Sequence, residues 1–166
     1  MKLVTVAATA LAMLASEASA QSKSLKDRLL GTWHFVIAEV TAPDGQKSFP
    51  FGPKPRGILT FSPEGDFAQI HIAGEVPKIA SGNRLAATPE EYAAIMRGTI
   101  AQFGTYTVDE DKQTFTMKFT ASTYPNWEGQ LQTRSVDKLT DEEFINTNPQ
   151  VGGGRGSAYN LYRRAR

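Results

Sequence analysis

The chain contains no cysteine. That excludes disulfides, thiol chemistry and lipid attachment at a processed cysteine. Histidine is almost as scarce, with two in 166 residues, so the usual ligand sets of a structural zinc site are missing and no metal is expected. Neither sign of charge dominates: 18 basic and 17 acidic residues leave a net charge of +1. This balance gives no electrostatic footprint for nucleic acid. The one basic cluster, Arg163-Arg164-Ala165-Arg166, reads as a solvated strand end. After the first twenty residues no apolar run approaches the ~20 positions needed for a membrane-spanning helix. Gly152-Gly153-Gly154-Arg155-Gly156 lacks the Lys-Ser/Thr pair and following helix of a phosphate loop, so no nucleotide cofactor is expected.

The front end is a targeting signal. Met1-Lys2 supplies a positive start, Leu3 to Ala15 an apolar stretch, and Ala18-Ser19-Ala20 the small-residue pattern of a cleavage site before Gln21. Residues 1–20 are therefore expected to be a secretory signal peptide and 21–166 one exported domain, periplasmic or extracellular. That domain is long enough to bury a core without disulfides.

What remains is mostly strand and turn. Ser22 to Leu30 places Leu25, Leu29 and Leu30 at helical spacing, enough for a turn or two plugging a barrel base. Leu30-Gly31-Thr32-Trp33 opens the first strand, Gly31 to Val40. Glycine allows the tight entry, and Trp33 is expected to fill the closed end. Ala42-Pro43-Asp44-Gly45 is a turn. Phe49 to Pro55 is too rich in proline for a central strand. Gly57–Ser62 and Phe67–Ile72 form a hairpin across Pro63-Glu64-Gly65-Asp66, and a long loop follows from Gly74 to Ala87. Thr88-Pro89-Glu90-Glu91 carries an N-cap, a proline at the first helical position and a capping-box acid. Tyr92, Ile95, Met96, Ile100 and Phe103 then predict a helix from Pro89 to Gln102, ended by Gly104. Further strands are expected at Thr105–Val108, Thr114–Thr123, Gln130–Leu139, Glu143–Asn148 and Ser157–Arg163. The alternation of Phe115, Met117, Phe119 and Ala121 is particularly clean. The fold class is all-β: an eight-stranded antiparallel barrel with one inserted α-helix, wide enough for one small ligand.

Several of these pieces in this order carry a family likeness: Leu30-Gly31-Thr32-Trp33, Pro43-Asp44-Gly45, Phe51-Gly52-Pro53-x-Pro55-x-Gly57, Thr88-Pro89-Glu90-Glu91-Tyr92, Gly104-Thr105-Tyr106-Thr107-Val108 and Pro125-Asn126-Trp127-x-Gly129-x-x-Gln132-x-Arg134. Over roughly Leu29 to Tyr162 the chain resembles the lipocalin-like domain family, related to the calycin barrels. The resemblance implies a closed barrel with an internal cavity, and little about activity. It also implies an arginine of the last strand packed across the first-strand Trp33. The Arg163-Arg164 doublet leaves open which one.

The candidate ligand-binding residues are Arg134, Gln132, Gln69, His71, Tyr106, Asn126 and Trp127, with Trp33 structural. If Gln130, Gln132 and Arg134 face inward, a guanidinium lies in the barrel and must have a partner. That partner is either a ligand anion held bidentately or an internal carboxylate, Glu39 or Glu128. Alternatively Arg134 points outward with Leu131 inside. His71 shares a face with Gln69 and Phe67, as a wall residue or as an acid or base. His34 alternates with Trp33 and is expected in solvent. Tyr106 needs a partner for its hydroxyl if buried. Asn126 and Trp127 belong to a turn that either simply joins two strands or rims a mouth.

The main expectation is a binding module for a small hydrophobic or amphipathic molecule, with no cofactor and no membrane span. A cofactor-free isomerase or cyclase using His71, Tyr106 and Arg134 by positioning, and a barrel with a filled core, are the alternatives. The pattern leaves the oligomeric state open.

Overall fold

A computed structural model describes residues 23–151 and 156–166. The expected signal peptide and most of the glycine-rich 152–156 loop lie outside them. The chain runs α1 (Leu25–Leu29), β1 (Gly31–Thr41), β2 (Lys47–Ser48), β3 (Arg56–Phe61), β4 (Asp66–Ile72), α2 (Pro89–Arg97), β5 (Thr99–Asp109), β6 (Thr114–Ser122), β7 (Leu131–Leu139), β8 (Glu143–Asn148) and β9 (Ser157–Arg164). The sheet order is β1-β3-β4-β5-β6-β7-β8-β9, antiparallel throughout, with β9 returning to β1. The closing register runs from Trp33 opposite Arg164 to Thr41 opposite Ser157. Eight strands thus form a closed barrel, and closure removes the exposed edges that an open sheet would present. The short β2 lies outside the ring and pairs only with the end of β1, at Val40 and Thr41.

Alternation decides which side chains enter. On β6, Phe115, Met117 and Phe119 are buried, and the hydroxyl of Thr116 on the outer face bonds Thr133 at 2.8 Å. On β7, Arg134 is buried and Leu131 is 66 % exposed, which removes the outward reading of Arg134. His34 is exposed, as its alternation with Trp33 requires.

The helix is where structure and sequence reading part. Its start is as expected: the Thr88 hydroxyl accepts from the Glu91 amide, and the Glu91 carboxylate accepts from the Thr88 amide. Its end is not. The helix stops at Arg97 with Gly98 as its cap, and Thr99 to Phe103 belong to β5. These residues pair with β4 from Thr99 opposite Ile72 to Thr105 opposite Asp66. A helix continued to Gln102 would leave that edge of β4 unpaired and the barrel open. Tertiary pairing therefore overrides the helical spacing of Ile100 and Phe103. Gly104 sits inside β5 at a bulge against β6, where a Cβ would fall 1.9 Å from the Lys118 carbonyl oxygen. Glycine is required there by close approach of the backbones.

The closed end is built on Trp33. Its side chain is fully buried against Phe144 at 5.4 Å between ring centroids, and its indole N–H donates to the Leu29 carbonyl at 2.8 Å. Leu25 and Leu29 of α1 are buried in the same core, so α1 is the expected base plug. The backbone N–H of Leu25, at the N-terminus of α1, donates to the Glu110 carboxylate at 2.7 Å. The register also settles the arginine doublet. The Arg164 guanidinium lies 3.9 Å from the Trp33 ring centroid and donates to three carbonyls: Leu30 (2.8 Å), Arg28 (2.7 Å) and Asp141 (2.8 Å). Arg163 points the other way, to Glu143 at 2.9 Å.

Trp33→Ala should cost about 3–5 kcal/mol, read as a fall in denaturant midpoint at unchanged slope. Arg164→Met breaks charged hydrogen bonds worth about 1.5–3 kcal/mol each before relaxation. Its midpoint should fall well below that of Arg163→Met, which removes one half-exposed ion pair of about 0–1 kcal/mol and leaves Glu143 paired with Lys138 at 2.7 Å. Equal effects from the two arginines would contradict the clasp.

Candidate functional site

The barrel interior has two storeys. The lower one is apolar and filled: Trp33, Leu59, Phe61, Phe115, Met117 and Phe144 are each no more than 1 % exposed. The upper one is polar and hollow. Inward positions of β4, β5, β7, β8 and β9 carry Gln69, His71, Gln102, Arg134, Asn146, Asn148 and Asn160, all buried. A cavity of about 180 Å³ lies among them, and Val40, Pro50, Phe51, Ile100, Trp127 and Val151 also line it.

Most of these polar groups satisfy one another. Ser122 donates to the Gln102 side-chain oxygen (3.5 Å), Gln102 to Gln69 (3.0 Å), and the Gln69 amide reaches His71 Nε2 (3.0 Å). The Tyr162 hydroxyl lies 3.0 Å from the same nitrogen. The Gln69 amide nitrogen also lies 3.3 Å from Nδ1, and the tautomer sets which ring nitrogen donates. The ring stacks on Phe35 at 3.7 Å and 6°, with Phe51 edge-on at 5.4 Å. Burial, and then the nearby Arg134 charge, push the His71 pKa well below its ordinary value, so the ring is neutral. Burial likewise raises the Tyr162 phenol, with Arg134 pulling the other way, so it stays a neutral donor.

Arg134 and Asn146 are the exceptions to this mutual satisfaction, Asn146 through its Nδ2. Arg134 is 4 % exposed, and its Nη2 donates to the Gln132 side-chain oxygen at 3.2 Å. That oxygen also accepts from Asn148 at 3.1 Å. Among the described residues Nε and Nη1 of Arg134 have no hydrogen-bond partner. Burial lowers its pKa, and Tyr162 opposes the shift; an arginine so affected still carries its charge. Among the described residues no carboxylate lines the cavity. Glu39 is taken by Lys47 at 2.7 Å, and Glu128 is exposed, so neither is the internal partner. The site is a single uncompensated cation in a wall of neutral amides.

Arg134, Gln132, Gln69 and His71 are thus brought together. Trp127 joins them from a 3-10 turn, Pro125–Trp127, lining the cavity while it stacks on Phe119 at 5.7 Å and 26°. Asn126 stands exposed on that turn, away from the cavity lining. Tyr106 belongs to the lower storey: its ring packs on Phe61 at 4.8 Å and its hydroxyl donates to the Ser62 carbonyl at 2.9 Å. Burial raises its pKa there. The tyrosine of the site is Tyr162, which the sequence reading passed over together with Gln102, Asn146, Asn148 and Asn160. A signal existed: carrying the period of two from Phe144 puts Asn146 and Asn148 inside, and from Ala158 it puts Asn160 and Tyr162 inside. Gln102 was hidden by the helix reading.

A neutral buried histidine ties stability to pH. Its folded pKa lies below the value of 6.5 for an exposed ring, so below that pH the unfolded chain binds the extra proton. Stability is then full above about pH 6.5 and is lost as pH falls toward the folded pKa. Between about pH 6.5 and 5, before carboxylates titrate, the thermal midpoint should fall for the native chain and stay flatter for His71→Gln.

Solved structures with similar folds include a lipocalin-like protein from Bacteroides uniformis (15 % identity, 83 % of this chain and 99 % of that one, TM-score 0.46). Others are a redesigned β-barrel (15 %, 87 % and 98 %, TM-score 0.45) and bovine odorant-binding protein in complex with a selenium-containing odorant (15 %, 87 % and 74 %, TM-score 0.42). No curated protein matches the chain. The family model of the lipocalin-like domain matches residues 30–159, from the residue before the first barrel strand to the middle of the last, and the chain belongs to that family.

Proposed function

We propose that the protein is an exported binding module that holds a small, partly apolar anion in the upper cavity. The observation that carries this reading is Arg134: fully charged, buried, unopposed by any carboxylate of the cavity, with two nitrogens unpartnered. An isolated buried charge is strongly unfavourable, and a ligand carboxylate accepting from the guanidinium offsets that cost. Strand register sets the polarity. Arg134 pairs with Phe115 of the lower storey, whereas Phe51, Trp127 and Val151 come from loops at the open end. A ligand therefore enters head first, its charge on Arg134 and its apolar part among the rim side chains. The wall residues His71 and Gln69 hold the frame around the head group. Export rests on the amino-terminal pattern, with cleavage between Ala20 and Gln21.

Arg134→Met separates this reading from a structural role. Methionine keeps much of the stem volume without the charge, and the Gln132 oxygen keeps its Asn148 donor. The variant should therefore unfold at the same temperature as the native chain or higher. Small anions co-purifying with the native protein, identified by native mass spectrometry, should be lost, with affinity lowered by about 2–5 kcal/mol. Destabilisation of about 3–5 kcal/mol, the result of breaking a buried pair, would return Arg134 to the scaffold. Intact mass of the exported protein should begin at Gln21; a mature chain retaining Leu3 to Ala15 would defeat the export proposal.

A further inference from the structure

Resting on the anion reading, we propose that the ligand class is a planar monocarboxylate of single-ring size, aromatic or conjugated, lying flat against Trp127. Three observations carry the proposal. The first is volume. The cavity is about 180 Å³, and an apolar cavity of roughly 150 Å³ accepts a benzene-sized guest. Long acyl chains and multi-ring pigments would project from its open end into solvent.

The second is shape. Trp127 has one face on Phe119 and also lines the cavity. Its turn joins β6 to β7, and β1 stands four places round the ring from β6. The side chains that β1 and β9 contribute to the cavity wall include Ala38 and Ala158. A large flat ring thus stands across the barrel from a wall of Ala38, Val40, Ala158 and Asn160, two of them no larger than a methyl group. Such a space is a slot, and a flat molecule fills it with the least unoccupied volume. Ring-on-ring contact adds about 0.5–1.5 kcal/mol beyond burial.

The third is the count of free polar atoms. Gln69, Gln102, His71 and Asn148 spend their hydrogen-bonding groups on one another or on neighbouring residues. Among the described residues the buried donors without a partner are Nε and Nη1 of Arg134 and Nδ2 of Asn146, and of these only the guanidinium carries charge. One cation with a single neutral amide to spare matches one negative charge on an otherwise apolar body. A second carboxylate would be buried unpaired.

Calorimetric titration of the mature protein with a matched set of probes tests each element. Benzoate is planar and anionic, cyclohexanecarboxylate is anionic but puckered, and benzamide is planar but neutral. Terephthalate adds a second charge, and decanoate would project from the slot. Benzoate should bind most tightly, about two- to tenfold better than cyclohexanecarboxylate, the range expected of one aromatic contact. That margin should vanish in Trp127→Leu. Filling the slot with Ala158→Val should weaken benzoate without lowering the thermal midpoint. Cyclohexanecarboxylate equal to benzoate, or decanoate tighter than both, would overturn the planar single-ring class while leaving the anion reading standing. Benzamide binding as well as benzoate, or no carboxylate binding at all, would overturn both.

Discussion

The rest of the structure depends on the contact between Trp33 and Arg164. These residues face each other across the strand pair that closes the barrel. The guanidinium lies over the indole, where the cation meets the negative face of the ring, and its N–H groups reach carbonyls of Arg28, Leu30 and Asp141. One side chain therefore ties together the exit of the base helix, the turn before β8 and the last strand. The indole N–H holds the same helix through Leu29. With the start of the first barrel strand and the end of the last secured at one point, β1 and β9 can pair along their length and the ring of strands closes.

Closure has a consequence for the interior. The lower storey is packed with aromatic and aliphatic side chains in edge and tilted contact, such as Phe61 with Phe115 at 5.5 Å and 87°. That apolar mass supplies the burial energy of the domain. The upper storey is lined with amides that cancel one another's donors and acceptors, at little net gain. Only over such a stable base can a guanidinium with unpartnered nitrogens be kept out of water. The division explains why two tyrosines have different roles. Tyr106 hangs its hydroxyl on a backbone carbonyl at the base, whereas Tyr162 meets His71, a residue of the cavity wall.

Much of this architecture was legible in the residues. Gly31-Thr32-Trp33, the Thr88 capping box and the alternation of Phe115, Met117 and Phe119 rest on local rules: backbone freedom, cap chemistry and the period of two. The same period put Gln130, Gln132 and Arg134 on one face and left its direction open; Arg134 is buried and Gln130 is exposed. The failures came where two periods competed. Tyr92, Met96, Ile100 and Phe103 fit a helical stripe, yet Ile100 and Phe103 are strand residues because β4 needs a partner there. Tyr106 and Asn126 fit a site by type, but strand register and turn geometry put one at the base and the other in solvent.

By itself the sequence determined the barrel class, the absence of disulfides, the start of the helix and which residues of each central strand share a face. These depend on residue type and on neighbours a few positions away. Tertiary structure alone decided that Arg164 rather than Arg163 covers Trp33, that among the described residues no carboxylate lines the cavity beside Arg134, and that Tyr162 reaches His71 while Asn160 joins the cavity wall. Each of these depends on the register of strands far apart in the chain, and a one-residue slip of register would turn every one of those side chains to the opposite face.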